Sequence, residues 1–380
     1  MRAIVNGRII TEDDLLENRV VIFDKKILEI VDEGKLKNFN LEEIIDAEEN
    51  YICPGLIDLH IHGAGGKDTM DAEIESIKII SNTICKNGVT AFLPTTMTMS
   101  KEKIYNAFNV IRKCMNLDLG GAKVIGAHME GPFLNENYKG AQKADYIIKP
   151  YFDFIKGFED VIKIITLAPE QDENNEFIKK VKKETNIVLS IGHSNATYEE
   201  AIFSIENGVN HATHIFNAMT PLNHRQPGVV GAIFGTDISC ELIADKIHVH
   251  KGVFNILLKV KGKDKIILIT DSMQAGCMKD GIWELGGQKV IVKEGSARLE
   301  NGTLAGSILT LNKAIKNILE NTNLKIWEAV AMASANPAKD INIYDKKGSI
   351  SIGKDADMVI FDSKFNAKQT MVEGKTVFKC

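Results

Sequence analysis

From about residue 52 to 272 the chain repeats one unit eight times: a short β-branched apolar run, then a longer stretch with helical spacing. A strand sandwiched between two helical layers has no solvent face, so it reads as a near-continuous apolar run. The pattern predicts strands at 55–61, 89–94, 123–129, 161–167, 187–193, 210–216, 239–244 and 265–271. Amphipathic helices are predicted at 72–86, where Ile74, Ile77, Ile80 and Ile84 share a face, and at 101–115, 175–184 and 198–207. Lys86-Asn87-Gly88 and Glu206-Asn207-Gly208 read as helix stops, because glycine takes a left-handed cap without steric strain. Eight such units predict a (β/α)8 TIM barrel. A doubly wound sheet is the alternative, but no GxGxxG follows the first strand. His62-Gly-Ala-Gly-Gly66 matches neither that fingerprint nor a P-loop and reads as a flexible loop.

The ends differ. Residues 3–5, 8–11 and 20–24, and again 348–352, 357–361 and 369–378, are short alternating stretches without helices between them. They predict a small β-sandwich domain built from both termini, residues 1–50 plus 345–380, flanking a barrel of residues 51–344. Two closing helices are expected at 307–320 and 326–335, the second ending at Asn336-Pro337.

Composition removes several function classes. A net charge of −5 without a basic run gives no footprint for nucleic acid. No window approaches ~18 consecutive apolar residues, so no membrane span is expected. The six cysteines form no CxxC pair, and a chain this size needs no disulfide staples, which points to a reducing cytoplasm.

In a (β/α)8 barrel, chemistry sits at the C-terminal strand ends. Those ends carry His60 and His62 (first strand), Glu130 (third), His193 (fifth), His214 (sixth) and Asp271 (eighth). Residues two apart on a strand share a face, so His60 and His62 converge. Plainer readings exist: His60 and His62 as the polar edge of a strand, Glu130 as a surface carboxylate at a turn, His193 and Asp271 as helix caps. His211 is expected to be a packed histidine, and His128 is either a hydrogen-bonding partner of the site or a packing residue. Together the six residues predict a metal centre. Imidazole and carboxylate without thiolate suits Zn2+, Fe2+, Mn2+ or Co2+. Such a centre activates water, and a nearby carboxylate can relay its proton to a leaving amine. Metal-assisted hydrolysis of a C–N bond follows, with no substrate specified.

Pro54-Gly-Leu-Ile-Asp-Leu-His-Ile-His62 and Gly353-Lys-Asp-Ala-Asp-Met-Val-Ile360 resemble the two signatures of the amidohydrolase superfamily. Over nearly its full length the chain resembles that superfamily's N-acetylglucosamine-6-phosphate deacetylase family. The resemblance rests on His128-Met-Glu-Gly-Pro-Phe133, Leu167-Ala-Pro-Glu170, Gly192-His-Ser-Asn-Ala196, Ala212-Thr-His-Ile-Phe-Asn-Ala-Met219, Thr270-Asp-Ser272 and Leu304-Ala-Gly-Ser307. It implies deacetylation of the sugar phosphate to glucosamine 6-phosphate and acetate, with one or two metals per subunit. Glu130, His193 and His214 match the shared metal ligands, His60 and His62 an additional pair, and Asp271 the catalytic base and acid that also faces the metal. Asn217, Ala218, Arg225 and His248 match phosphate and sugar contacts. Ala141, Gln142, Leu304, Ala305 and Gly306 match further substrate contacts. Arg225 is implied to reach a neighbouring subunit in a homodimer or tetramer. Two positions depart from the family. Gln142 stands where some members have histidine, and Lys246 replaces a glycine near His248. The related galactosamine epimer is the alternative substrate.

Overall fold

In the computed structural model, which describes residues 1–380, eight parallel strands form a ring. In chain order they are Leu56–Ile61, Val89–Thr96, Ala127–Glu130, Ile162–Leu167, Val188–Ile191, His211–Ala212, Ser239–Ile243 and Ile266–Ile269. Each pairs in parallel with the next. The eighth closes on the first near the upper rim. There Asp271 N donates to His60 O at 2.8 Å and His62 N to Ser272 O at 2.9 Å. Lower in this seam, Ile57 N donates to Ala333 O and Leu268 N to Met332 O, so a following segment fills the gap. Asp58 clasps both strands, accepting from Thr270 Oγ1 at 2.6 Å and Thr270 N at 3.2 Å. The expected TIM-like barrel is present, with its apolar core between ring and helices.

Several elements differ from expectation for local reasons. The third strand is interrupted after Lys123–Val124, where Gly126 takes a φ of +147°. The fifth, sixth and eighth strands stop early because His193, His214 and Asp271 turn to φ +50°, +27° and +47°, which extended pairing does not allow. The helices Ile74–Ile84, Lys101–Met115, Glu176–Glu184 and Tyr198–Asn207 follow the expected apolar faces. The closing helices are Leu311–Asn321 and Ile326–Ala331. A further helix, Ala335–Asp340, begins where an end was expected; Pro337 sits in its first turn, where no intrahelical N–H bond is lost. The glycine-rich segment is an ordered hairpin, Gly63–Ala64 against Lys67–Asp68, rather than a flexible loop. Gly65 and Gly66, at φ +65° and +82°, supply its tight turn.

Both termini build two further sheets. Ile27–Asp32, Arg19–Phe23, Arg2–Val5 and Glu43–Asp46 form one. Six strands form the other, with Tyr51–Pro54 between Arg8–Ile10 and Met358–Phe361. That sheet therefore takes in residues 51–54 before the chain enters the barrel. Ile4, Val21 and Phe23 of one sheet pack on Ile9, Ile52, Met358 and Met371 of the other, giving the sandwich its own core. A three-stranded sheet that sequence reading missed, Gly281–Leu285, Gln288–Lys293 and Ser296–Leu299, stands on the upper rim. Its Leu285, Val290 and Val292 pack on Met97 and Met273.

Gly88 joins the first helical layer to the sandwich. It sits at φ +87°, and a Cβ there would lie 2.4 Å from Phe361 Cζ, on a ring that is fully buried. Gly88→Ala is expected to lower unfolding stability by about 2–4 kcal/mol, combining left-handed strain with overpacking. Gly34→Ala, with open space around its Cβ position, is the control. Equal denaturant midpoints for the two variants would refute this account of Gly88.

Candidate active site

Glu130 ends the third strand and is buried, with four imidazoles aimed at its carboxylate. His193 Nε2 and His214 Nε2 lie 3.1 and 3.2 Å from Oε1, and His60 Nε2 lies 3.4 Å from the same oxygen. His62 Nε2 lies 3.3 Å from Oε2. The opposite nitrogen of every ring donates to an oxygen. His62 Nδ1 donates to Thr95 O, His193 Nδ1 to Tyr138 O, His214 Nδ1 to Asn217 O, and His60 Nδ1 to Glu241 Oε2. These acceptors fix the Nδ1–H tautomer in all four rings and leave four Nε2 lone pairs facing Glu130 in two groups, His60 with His62 and His193 with His214. His193 and His214 bring their Nε2 atoms within 3.1 Å of each other. Such an arrangement needs a cation, either protons or a metal ion. The donor set fits a metal centre, since ligating histidines characteristically donate their other N–H to a carbonyl or carboxylate.

Asp271 completes the cluster, with Oδ1 3.3 Å from His62 Nε2 and 3.6 Å from His60 Nε2. Burial pushes the Asp271 carboxyl up, but the facing His60 and His62 more than offset this and hold it below its usual range. Burial likewise raises Glu130, yet His60 and His193 hold it well below the ordinary carboxylate value. Burial pulls His62 down, and its bonds to Asp271 and Glu130 lift it to about 10.

Neighbouring residues set this geometry. Gln142 donates to Glu130 Oε2 at 2.5 Å and accepts from Thr98 N at 2.7 Å, so it orients the central carboxylate. Glu170 accepts from Asn135 Nδ2, Ser194 Oγ and Asn195 N, anchoring the turn that carries His193. His128 lies beneath His60, donating from Nδ1 to Leu59 O while Nε2 accepts from Thr166 Oγ1 at 2.7 Å. Burial and the neighbouring His60 push it down to about 3, so it stays neutral. His211 is buried, as expected of a packed histidine, but between two carboxylates, Glu241 and Asp340.

A cavity of ≈460 Å³ opens above the cluster. Of the residues singled out from sequence, His62, Glu130, Ala141, Gln142, His193, His214, Asn217, Ala218, His248, Asp271, Leu304 and Gly306 line it. His60 lies beneath it, and Ala305 is buried behind it. Arg225 is exposed in the loop after the sixth strand and does not line this cavity. Lys246 adopts φ +70°, the conformation a glycine would favour. The turn is retained: Asp245 accepts from His248 N at 2.8 Å and from His248 Nδ1 at 2.6 Å. Sequence reading missed Tyr138, Asn137, Thr303 and Arg298 in the lining. Arg298 comes from the three-stranded sheet, whose signals were the Gly286-Gly287 and Glu294-Gly295 turns.

The amidohydrolase family model matches residues 51–377. N-acetylglucosamine-6-phosphate deacetylase of Bacillus subtilis (strain 168) is 39% identical over 379 residues, covering 97% of this chain and 95% of the relative. N-acetylgalactosamine-6-phosphate deacetylase of Escherichia coli O157:H7 is 33% identical, covering 87% and 89%. The crystal structure of N-acetylglucosamine-6-phosphate deacetylase from Pasteurella multocida superposes with a TM-score of 0.92 at 34% identity, covering 99% of both chains. With the ring of strands, the two terminal sheets and these full-length matches in agreement, the chain belongs to the amidohydrolase family.

Proposed function

We propose that this chain hydrolyses the acetamide of N-acetyl-D-glucosamine 6-phosphate, releasing acetate and D-glucosamine 6-phosphate. The observation that carries the reading is the convergence of four Nε2 lone pairs on Glu130, with Asp271 beside them. The names of the relatives supply the substrate, and the cavity volume suits a hexosamine phosphate. Glu130, His193 and His214 would hold one divalent transition ion, and His60 and His62 would be available for a second, with Asp271 beside these ligands. Zn2+, Fe2+, Mn2+ or Co2+ suits these donors. When bound, such an ion supplies Lewis acidity toward the carbonyl and toward water.

The chain's own residues handle the protons. Asp271, ionised at the outset, takes a proton from the attacking water as the new C–O bond forms. It returns that proton to the nitrogen as the C–N bond breaks, so the leaving group departs as an amine. Asn217, Ala218 and His248 take the sugar and phosphate, with Arg225 reaching in from a neighbouring copy in a homodimer or tetramer. Ala141, Gln142, Leu304 and Gly306 bound the remainder of the substrate, Ala305 backs them, and Gln142 acts chiefly through Glu130. All six cysteines are unpaired, which suits a cytoplasmic enzyme. No helix is long and apolar enough to cross a membrane.

Acetate release from N-acetylglucosamine 6-phosphate and its galactosamine epimer, before and after chelation, tests the reading. The expected result is metal-dependent release with preference for the glucosamine compound. Preference for the epimer would reassign the sugar and keep the reaction; no turnover of either with metal restored would reject the proposal.

Asp271→Asn keeps the shape of the side chain and removes its proton relay. It is expected to lower kcat by ~10²–10⁴ while metal content stays largely intact. Near-full kcat in this variant would take Asp271 out of the mechanism.

Arg225→Ala is expected to raise KM for the phosphorylated sugar far more than for its unphosphorylated analogue. A lost charge-assisted contact is worth ~1.5–3 kcal/mol. Equal effects on both substrates would argue against phosphate binding by Arg225.

A further inference from the structure

A second line of charge lies under the upper rim, and the hydrolytic reading makes no use of it. Glu241 is the middle residue of Ser239–Ile243 and is fully buried. A carboxylate removed from water is tolerated only with strong partners, and a well-packed apolar side chain would serve stability at least as well. Glu241 Oε2 accepts from His60 Nδ1 at 2.9 Å and from the backbone N–H of His214 at 3.1 Å. Glu241 Oε1 faces His211 Nε2 at 3.2 Å, and His211 Nδ1 faces Asp340 Oδ2 at 2.9 Å. The line Asp340, His211, Glu241, His60 therefore runs from the outer helix Ala335–Asp340 across the ring to the site.

His60, His128 and Glu241 also lie close enough to suggest a separate metal site. Hydrogen bonding argues against it, since both nitrogens of His128 are engaged, one with Leu59 O and one with Thr166 Oγ1. Two atoms of this group, His60 Nε2 and Glu241 Oε1, are buried without a hydrogen-bond partner, and His60 Nε2 is turned toward Glu130 and Asp271. His62, His193 and His214 donate to neutral backbone carbonyls. Only His60 donates to a carboxylate, which makes its other nitrogen a stronger donor to a metal.

We propose that Glu241 is a positioning residue for metal binding. It holds His60 in the Nδ1–H tautomer, with Nε2 aimed into the site, and the same oxygen pins the backbone of His214 in its left-handed turn. His211, lying between Glu241 Oε1 and Asp340 Oδ2 without a hydrogen bond to either, flanks the carboxylate's other oxygen. The inference rests on reading His60 and His214 as metal ligands.

The test is Zn2+ affinity of the full-length protein, measured without sugar by competition with a chromophoric chelator. Glu241→Gln is expected to weaken binding of the ion that His60→Asn loses by about 10–100-fold, the range typical of partners behind a ligand. Glu241→Asp, which keeps the charge, is expected to recover part of that loss. A purely structural role would lower the unfolding midpoint and leave Zn2+ affinity of the folded variant unchanged, and that outcome overturns the proposal. If Glu241→Gln does not fold, Asp340→Asn replaces it: a smaller loss in the same direction supports the proposal, and unchanged affinity overturns it. A wild-type chain that binds no Zn2+ overturns it as well. Because sugar is absent, the deacetylase reading fails separately: lost affinity in Glu241→Gln with no turnover by the wild type rejects the substrate and leaves the positioning role standing.

Discussion

The buried carboxylate of Glu130, ringed by imidazole nitrogens at 3.1 to 3.4 Å, is the contact on which the remaining geometry depends. Four lone pairs and a carboxylate repel one another unless positive charge sits among them. In the absence of a metal, that charge is protons, which is why His62 is lifted to about 10 while Glu130 is held low. Leaving one such buried charge unpaired is worth about 3–5 kcal/mol of destabilisation. The cluster is therefore coherent only when a cation is present. A closed ring of strands supplies the means, because its converging ends bring five separate segments to one point without lengthening any loop.

Reaching that point requires the backbone to leave extended conformation sharply. His193, His214 and Asp271 all do so in the left-handed region, which non-glycine residues rarely occupy. Each such residue carries roughly 1–3 kcal/mol of strain and persists only where its surroundings over-determine it. Those surroundings are visible. Glu170 and Asn135 grip the turn at His193. Glu241 grips His214, and the seam hydrogen bond to His60 O grips Asp271. Strain and its restraints coincide with the proposed ligands and acid–base group, which ties local geometry to chemistry independently of any relative.

Much of this was legible because it follows from short periods. His60 and His62 share a face for the same reason that the strand is apolar, and a ligand two residues past a strand can be read from where the apolar run stops. The rest depends on distances that periodicity does not encode. Glu241 had a local signal, a lone carboxylate within Cys240-Glu-Leu-Ile, but its partners His211 and Asp340 come from another strand and an outer helix. Arg298 reaches the cavity only because an insertion folds back over the rim. Arg225 shows the converse: it could be singled out by resemblance, while in one chain it remains exposed and away from the cavity.

Proton order in the polar layer beneath the site explains how one barrel core can hold so much charge. His128 Nδ1 donates to Leu59 O, so Nε2 must accept the Thr166 hydroxyl proton. Thr166 Oγ1 then accepts from Thr213 at 2.6 Å, and Thr213 Oγ1 accepts from Ser190 at 2.5 Å. Each hydroxyl has only one proton to give, so a single backbone carbonyl sets the direction of the whole chain. A protonated His128 would have two donors and would break this order at Thr166. Its neutrality thus has a geometric basis in addition to burial and the nearby His60. Above this layer stands the Glu130 cluster, joined through His60 to the line that includes Glu241. With both nitrogens of His128 engaged by Leu59 O and Thr166 Oγ1, His128 does not compete for His60, whose Nδ1 bonds Glu241.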